Sequence, residues 1–334
     1  MEFSFQWLLL ALPLAFAVGW FSSRMDVRQF RREQSDSPRA YYKGLNLLLN
    51  EQQDKAIDAF IEAVQNDPDT TELHFALGNL FRRRGEFERA VRVHQHLLAR
   101  ADLSSADRDR AQHALAQDYL KAGLFDRAEA AYRALEGTAF SVEARRALLD
   151  LYERSREWPQ AREMAARLEQ SGAGSYAQRM SHHLCEEVAE ALTAGHGNET
   201  HQRAVNLLQE AHRIAPHSAR PLVQLGQLQA QAGQAEDALN TWSGLLRLPL
   251  SPIALVAADL VKMAEAATPA LQERARALLR ASYEQQPSLQ VLQALGRLQP
   301  EGAAQALQAH LGQHPSLSAA AAVLRLPPAQ WHVG

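Results

Sequence analysis

Apolar residues follow two patterns along this chain. From Phe3 to Phe21 they run almost unbroken, interrupted by Ser4, Gln6 and Pro13. From Ser37 onward they recur every three or four positions, the spacing that gathers them on one face of an α-helix. The first pattern predicts a membrane-spanning helix and the second a series of amphipathic helices. Ser37-Pro38, Ser251-Pro252 and Thr268-Pro269 each read as an N-cap followed by proline at the first helical position. Asp69 with Glu72 reads as a variant capping box.

The apolar run is long enough to cross a bilayer. Nineteen residues at about 1.5 Å each give roughly 28 Å, close to the hydrocarbon thickness. Ten of them are Leu, Phe or Val, worth together about −3 to −6 kcal/mol of insertion free energy. Trp7 and Trp20 stand near its two ends, where aromatic belts form. A cleaved signal peptide is the competing reading, but it wants positive charge before the apolar run. Here Met1-Glu2 precedes it, and Arg24, Arg28, Arg31 and Arg32 follow. Positive charge collects on the cytoplasmic side. The expectation is an anchor over 1–22, a basic linker over 23–36, an outward N-terminus and a cytoplasmic remainder.

The second pattern repeats. In the segment from Thr71, Leu77-Gly78 is followed by Phe81, Gly85, Ala90 and Leu97. These offsets match the tetratricopeptide repeat, a helix–turn–helix of about 34 residues. Small residues at Gly78 and Ala90 allow a close helix crossing, and Gly85 suits a left-handed turn. Thirty-four residues earlier stand Gly44, Ala56, Phe60 and Pro68. Further on come Ala116, Tyr119, Gly123 and Ala128, then a unit whose turn is Trp158-Pro159. A longer, irregular unit follows, with Ala194 to Gln202 expected as an exposed loop. Gly226, Gly233 and Ala238 mark another good match, and two weaker units end at Pro287 and Pro315. The predicted fold is all-α: a solenoid of about eight helical pairs over 37–316, with a tail over 317–334. One pair cannot bury its own apolar face, so stability comes from stacking.

Composition narrows the function. Gly (17) and Pro (14) are too scarce for a turn-rich β fold, and a net charge of −3 argues against a nucleic-acid partner. The lone Cys185 excludes a disulfide framework or a multi-cysteine metal site within this chain. His94 and His96 lie about 200° apart on a helix, so they do not converge on a metal. No HExxH, phosphate-binding loop or nucleophile elbow occurs. The expectation is a non-enzyme with no catalytic, metal or cofactor residues.

The candidate working surface is the groove lined by the first helix of each pair. Tyr41, Leu45 and Leu48 would line it in the first repeat. Glu72, Phe75, Asn79, Arg82 and Arg83 would follow in the second, and Arg110, His113 and Gln117 in the third. Such a groove grips a peptide or a partner helix, although the same positions also serve packing between repeats.

The chain resembles the lipopolysaccharide assembly protein B family. The resemblance rests on the anchor followed by arginines, on Leu45 to Val64, on Asp118 to Leu135, and on Cys185-Glu186 in the irregular unit. It is most specific over Leu77 to Leu98, where Asn79, Arg82, Arg89, Arg92 and His94-Gln95 are not demanded by the repeat. The resemblance implies a single-pass inner-membrane adaptor, N-terminus periplasmic and array cytoplasmic, that regulates lipopolysaccharide biosynthesis. The implied partners are an FtsH-type membrane-anchored AAA+ protease, the lipid A pathway deacetylase and the lipopolysaccharide-synthesis and transport proteins. A general scaffold for envelope assembly, without a role in proteolysis, is the alternative. Family members usually end in a rubredoxin-like module whose two CxxC pairs bind a metal ion. No cysteine follows Cys185 here, by truncation or by loss, so metal binding is not carried over.

Overall fold

A computed structural model describes residues 16, 20, 42–47, 49, 50, 52–66, 70–195, 197–249 and 251–326. Every regular element among them is helical. After helical residues 42–47 come α1 (Gln53–Asn66), α2 (Thr71–Arg83), α3 (Phe87–Leu98), α4 (Ser105–Lys121), α5 (Phe125–Arg133) and α6 (Ser141–Ser155). Then follow α7 (Trp158–Gln170), α8 (Ala177–Ala194), α9 (Asn198–Ile214), α10 (Ala219–Gln231) and α11 (Ala235–Ser243). The last are α12 (Ala257–Glu265), α13 (Pro269–Gln285), α14 (Leu289–Leu298), α15 (Ala303–Gln313) and α16 (Leu317–Leu324). The chain divides into two compact units, 1–151 and 152–334.

One turn builds four of the pairs. Gly85, Gly123 and Gly233 take φ of +79°, +75° and +80°. The next residue then reaches back to the last turn of the first helix: Glu86 N donates to Phe81 O, Leu124 N to Tyr119 O, and Gln234 N to Gln229 O, each at 2.9 Å. This is the Schellman closure, which satisfies a carbonyl that the helix end leaves orphaned. Arg156 occupies the same repeat position before Trp158-Pro159 and is forced to φ +59°. Its neighbour Glu157 makes the equivalent bond to Tyr152 O at 2.9 Å.

One register fixes how closely the helices of a pair cross. A Cβ added at Gly44 would lie 2.7 Å from the Phe60 ring, at Gly78 2.5 Å from the His94 ring, and at Gly226 2.2 Å from the Trp242 indole. Each glycine stands sixteen residues before its aromatic partner. Ala116 and Tyr132 hold the same two positions in the third repeat, and both are buried. In the first unit, Ala56, Phe60, Leu73, Leu77, Phe81 and Ala90 form one core, and Phe75, Leu97, Leu103 and Ala111 another. In the second, Leu184, Cys185, Val188 and Leu208 pack together, as do Trp242, Leu245, Ile253, Leu260 and Leu279.

Several expectations need correcting. Most of the expected loop over Ala194 to Gln202 is helical: α8 runs to Ala194, α9 starts at Asn198, and His201 N bonds Gly197 O at 3.0 Å. Ser251 is no N-cap of an α-helix: it takes φ +33° ahead of a short 3-10 turn, Pro252–Leu255. The N-cap of α2 is Thr70, whose side chain does not make the capping bond, and Asp69 lies outside the described residues. Residues 317–324, expected in the tail, form α16. The anchor other than Phe16 and Trp20, the linker 23–36, Tyr41, Leu48, Pro68 and residues 327–334 also lie outside the described residues. Among the described residues no helix is long and apolar enough to cross a membrane. Helices α13 and α15 end at Gln285 and Gln313, just before Pro287 and Pro315.

Candidate functional site

The first helices of the pairs carry the expected groove residues, and in the first unit these bond to one another. Arg110 on α4 forms a two-pronged ion pair with Glu72 on α2, and its guanidinium sits 4.0 Å above the Phe75 ring. Glu72 and Arg110 face solvent, whereas Phe75 is 2% exposed. Phe75 therefore packs repeat against repeat and presents no surface to a partner. Next along α2, Asn79 Oδ1 accepts from Arg82 Nη2 at 2.6 Å. Arg83 is exposed. On α4, His113 is half-buried, stacked on Phe140 at 4.7 Å and 3.4 Å from Gln117 Nε2. Burial holds the His113 imidazole below its usual pKa; Glu143 opposes this and Arg82 adds to it. Leu45 is half-buried against the first core.

Arg82 also does something the sequence does not announce. Its Nη1 donates to Asp118 Oδ1 at 2.8 Å and to Ala114 O at 3.1 Å. The other Asp118 oxygen lies 2.5 Å from His94 Nδ1. Asp118 and His94 are both completely buried. The His94 proton belongs on Nδ1, facing the carboxylate, because Nε2 is buried with no protein partner. A buried charge is tolerable only when paired and hydrogen-bonded, and this triad meets the requirement by joining α2, α3 and α4. Arg82 is thus a clamp between repeats rather than an open groove residue; its side chain is 19% exposed. The signal was present in Arg82 and His94, which the repeat pattern does not demand.

The second unit holds a similar arrangement. Arg179 donates through two nitrogens to Glu153, at 2.9 and 2.6 Å, and His183 Nε2 lies 2.6 Å from the same carboxylate. His183 is completely buried and stacks on Trp158 at 6.0 Å between centroids. Burial holds His183 below its usual pKa, against the opposing pull of Glu153. Burial also acts to raise Glu153, but the hydrogen bonds from Arg179 and His183 outweigh it and hold the carboxyl below its usual range.

The first triad is not built for catalysis. His94 Nε2 is pressed against the Gly78 backbone, which leaves no room for a reacting group. Cys185 is fully buried, and burial pushes its thiol up to about 11, far from a nucleophilic thiolate. Among the described residues no group of three or more His, Cys, Asp or Glu side chains converges on a metal position.

Stacked helix pairs, glycine turns and a polar strip on the first helices define an all-helical, tetratricopeptide-type solenoid fold, and a tetratricopeptide repeat family model matches residues 196–247. In sequence the chain is similar to lipopolysaccharide assembly protein B of Escherichia coli strain K12, at 35% identity over 70% of this chain and 60% of that protein. It is likewise similar to lipopolysaccharide assembly protein B of Haemophilus influenzae, at 30% identity over 72% of this chain and 62% of that protein. The family resemblance read from the sequence is borne out, and the chain spans about 60% of the length of these curated relatives. Among solved structures, a tetratricopeptide repeat protein from Parabacteroides merdae aligns with TM-score 0.39 and 14% identity, over 78% of this chain and 98% of that one.

Proposed function

We propose that this chain is an inner-membrane adaptor that regulates lipopolysaccharide biosynthesis by holding partner proteins on its first-helix surface. The observation that carries the reading is the 35% identity to proteins named for lipopolysaccharide assembly. The finer role follows the family resemblance: promoting FtsH-type proteolysis of the lipid A pathway deacetylase and helping to gather lipopolysaccharide-synthesis enzymes. The exposed Glu72–Arg110 pair and Arg83 are the groove residues best placed to meet a partner. Deleting the gene and following deacetylase half-life by pulse-chase tests this reading. A lengthened half-life, brought back to normal by the chain in trans, supports it; an unchanged half-life leaves only the alternative, an envelope-assembly scaffold without a role in proteolysis. Orientation is tested by a reporter fused after Leu103. Periplasmic activity would overturn a cytoplasmic array.

A further inference from the structure

We propose that helices α12, α14 and α16 of the second unit form a docking site for an acidic peptide segment that carries apolar side chains. This surface shares no residue with the strip on α2 and α4. A groove of about 520 Å³ is floored by Ala257, Val261, Leu292 and Ala294, all buried, and by the half-buried Leu307. A second groove, of about 420 Å³, opens beside Ala321 and Ala322. Gln290, Gln293 and Arg325 line both.

Among the described residues, the charged side chains lining the grooves are arginines, Arg297 in the first and Arg325 in both, and no carboxylate lines either. On the neighbouring helix α13 the arginines are paired: Arg274 with Glu236, and Arg276 and Arg280 with Glu273. Arg297 and Arg325 are exposed, and among the described residues neither is held in an ion pair. A cation at the margin of an apolar cleft attracts a carboxylate more strongly than one in open solvent.

The amides select a peptide over other anions. Gln290 and Gln293 stand three residues apart on α14, hence on one helix face, and both are exposed. A glutamine amide offers one acceptor and two donors, which suits the C=O and N–H of an extended backbone. Leu255, Leu317 and Leu324 are 65%, 93% and 66% exposed on the adjoining turn and helix, and extend the apolar area. The occupant that fits is therefore a peptide whose apolar side chains enter the grooves while its Asp or Glu side chains meet the arginines.

The test uses the full chain and fluorescence anisotropy. The probe is a fluorescein-labelled Asp-Leu-Phe-Glu-Leu-Asp peptide, compared with its uncharged counterpart Asn-Leu-Phe-Gln-Leu-Asn. The acidic peptide binds and the neutral one is weaker by about tenfold. Arg297→Glu with Arg325→Glu, at exposed positions that leave the fold intact, removes that preference. Ala258→Trp, which fills the first groove from an exposed lining position, weakens both peptides. Equal affinity for the two peptides, or an affinity unmoved by either variant, overturns the proposal. So does binding to phosphatidylglycerol vesicles through the two arginines without binding of the peptide. A chain ending at Leu326 that binds the acidic peptide about tenfold more tightly than the full chain assigns the site to residues 327–334 and also overturns it. A dimer in sedimentation that Ala258→Trp dissociates assigns the site to a second copy, with the same consequence.

Discussion

Replacing Gly78 by alanine tests the packing register at its most consequential point. In an unconstrained helix interior, Gly→Ala stabilises by about 1 kcal/mol, because alanine loses less backbone entropy on folding. At Gly78 the new methyl would sit 2.5 Å from His94 Cε1 and Nε2, where ordinary contact begins near 3.4 Å. His94 would have to retreat by nearly an ångström. It cannot do so freely, because its Nδ1 is held 2.5 Å from Asp118, which Arg82 also grips. Overpacking costs about 1–3 kcal/mol, and weakening a buried hydrogen bond to a charged group costs roughly a further 1.5–3 kcal/mol. Set against the helix gain, the net destabilisation should be about 1.5–5 kcal/mol. Urea denaturation of the wild-type and variant chains, followed by circular dichroism at constant m-value, measures it. The reverse change at the equivalent position, Ala116→Gly, should cost about 2 kcal/mol, the helix propensity plus the burial lost with one methyl. Stabilisation by Gly78→Ala would refute the reasoning.

The other predictions concern backbone, charge and pH. Arg156→Gly should stabilise by about 1 kcal/mol by relieving a left-handed residue, since the Arg156–Glu190 contact at 3.7 Å is an exposed pair of little worth; an unchanged or lowered Tm contradicts this. Asp118→Asn should destabilise by about 3–5 kcal/mol, since it leaves Arg82 without its buried counter-charge; a melt like wild type contradicts it. The second unit should lose stability as pH falls, because the folded state holds both His183 and Glu153 below their usual pKa. The unfolded chain then takes up protons first, so stability is full above about pH 6.5 and declines through the histidine range, then the carboxylate range. His183→Gln should flatten the first decline in a pH series of melts, and a decline that persists unchanged would assign it elsewhere.

The fold was legible because its determinants are local and periodic. Gly85, Gly123 and Gly233 announce left-handed turns, and the chain makes the same closure at each. The pairing of Gly78 with His94, and of Gly226 with Trp242, also follows from one sixteen-residue offset. What escaped the sequence depends on neighbours in space. Arg82 and Glu72 occupy similar exposed-type positions on α2, but only the three-dimensional stack puts Asp118 beside one and Arg110 beside the other. Phe75 fits a groove position by spacing and is buried because Leu97, Leu103 and Ala111 close over it. The helical start at Asn198 was masked by the polar, glycine-bearing stretch Gly195 to Gln202, which reads as loop until Gly197 is recognised as an N-cap.

Site-specific photocrosslinking in cells tests whether this array holds lipopolysaccharide-pathway proteins on its first-helix surface. A photoreactive residue would replace Gln117, on the strip beside His113, or Arg133, exposed at the end of a second helix. Adducts at Gln117 should contain the membrane protease, the deacetylase or lipopolysaccharide-synthesis enzymes, with few or none at Arg133. Equal crosslinking at the two positions, or adducts with these proteins only at Arg133, would contradict it.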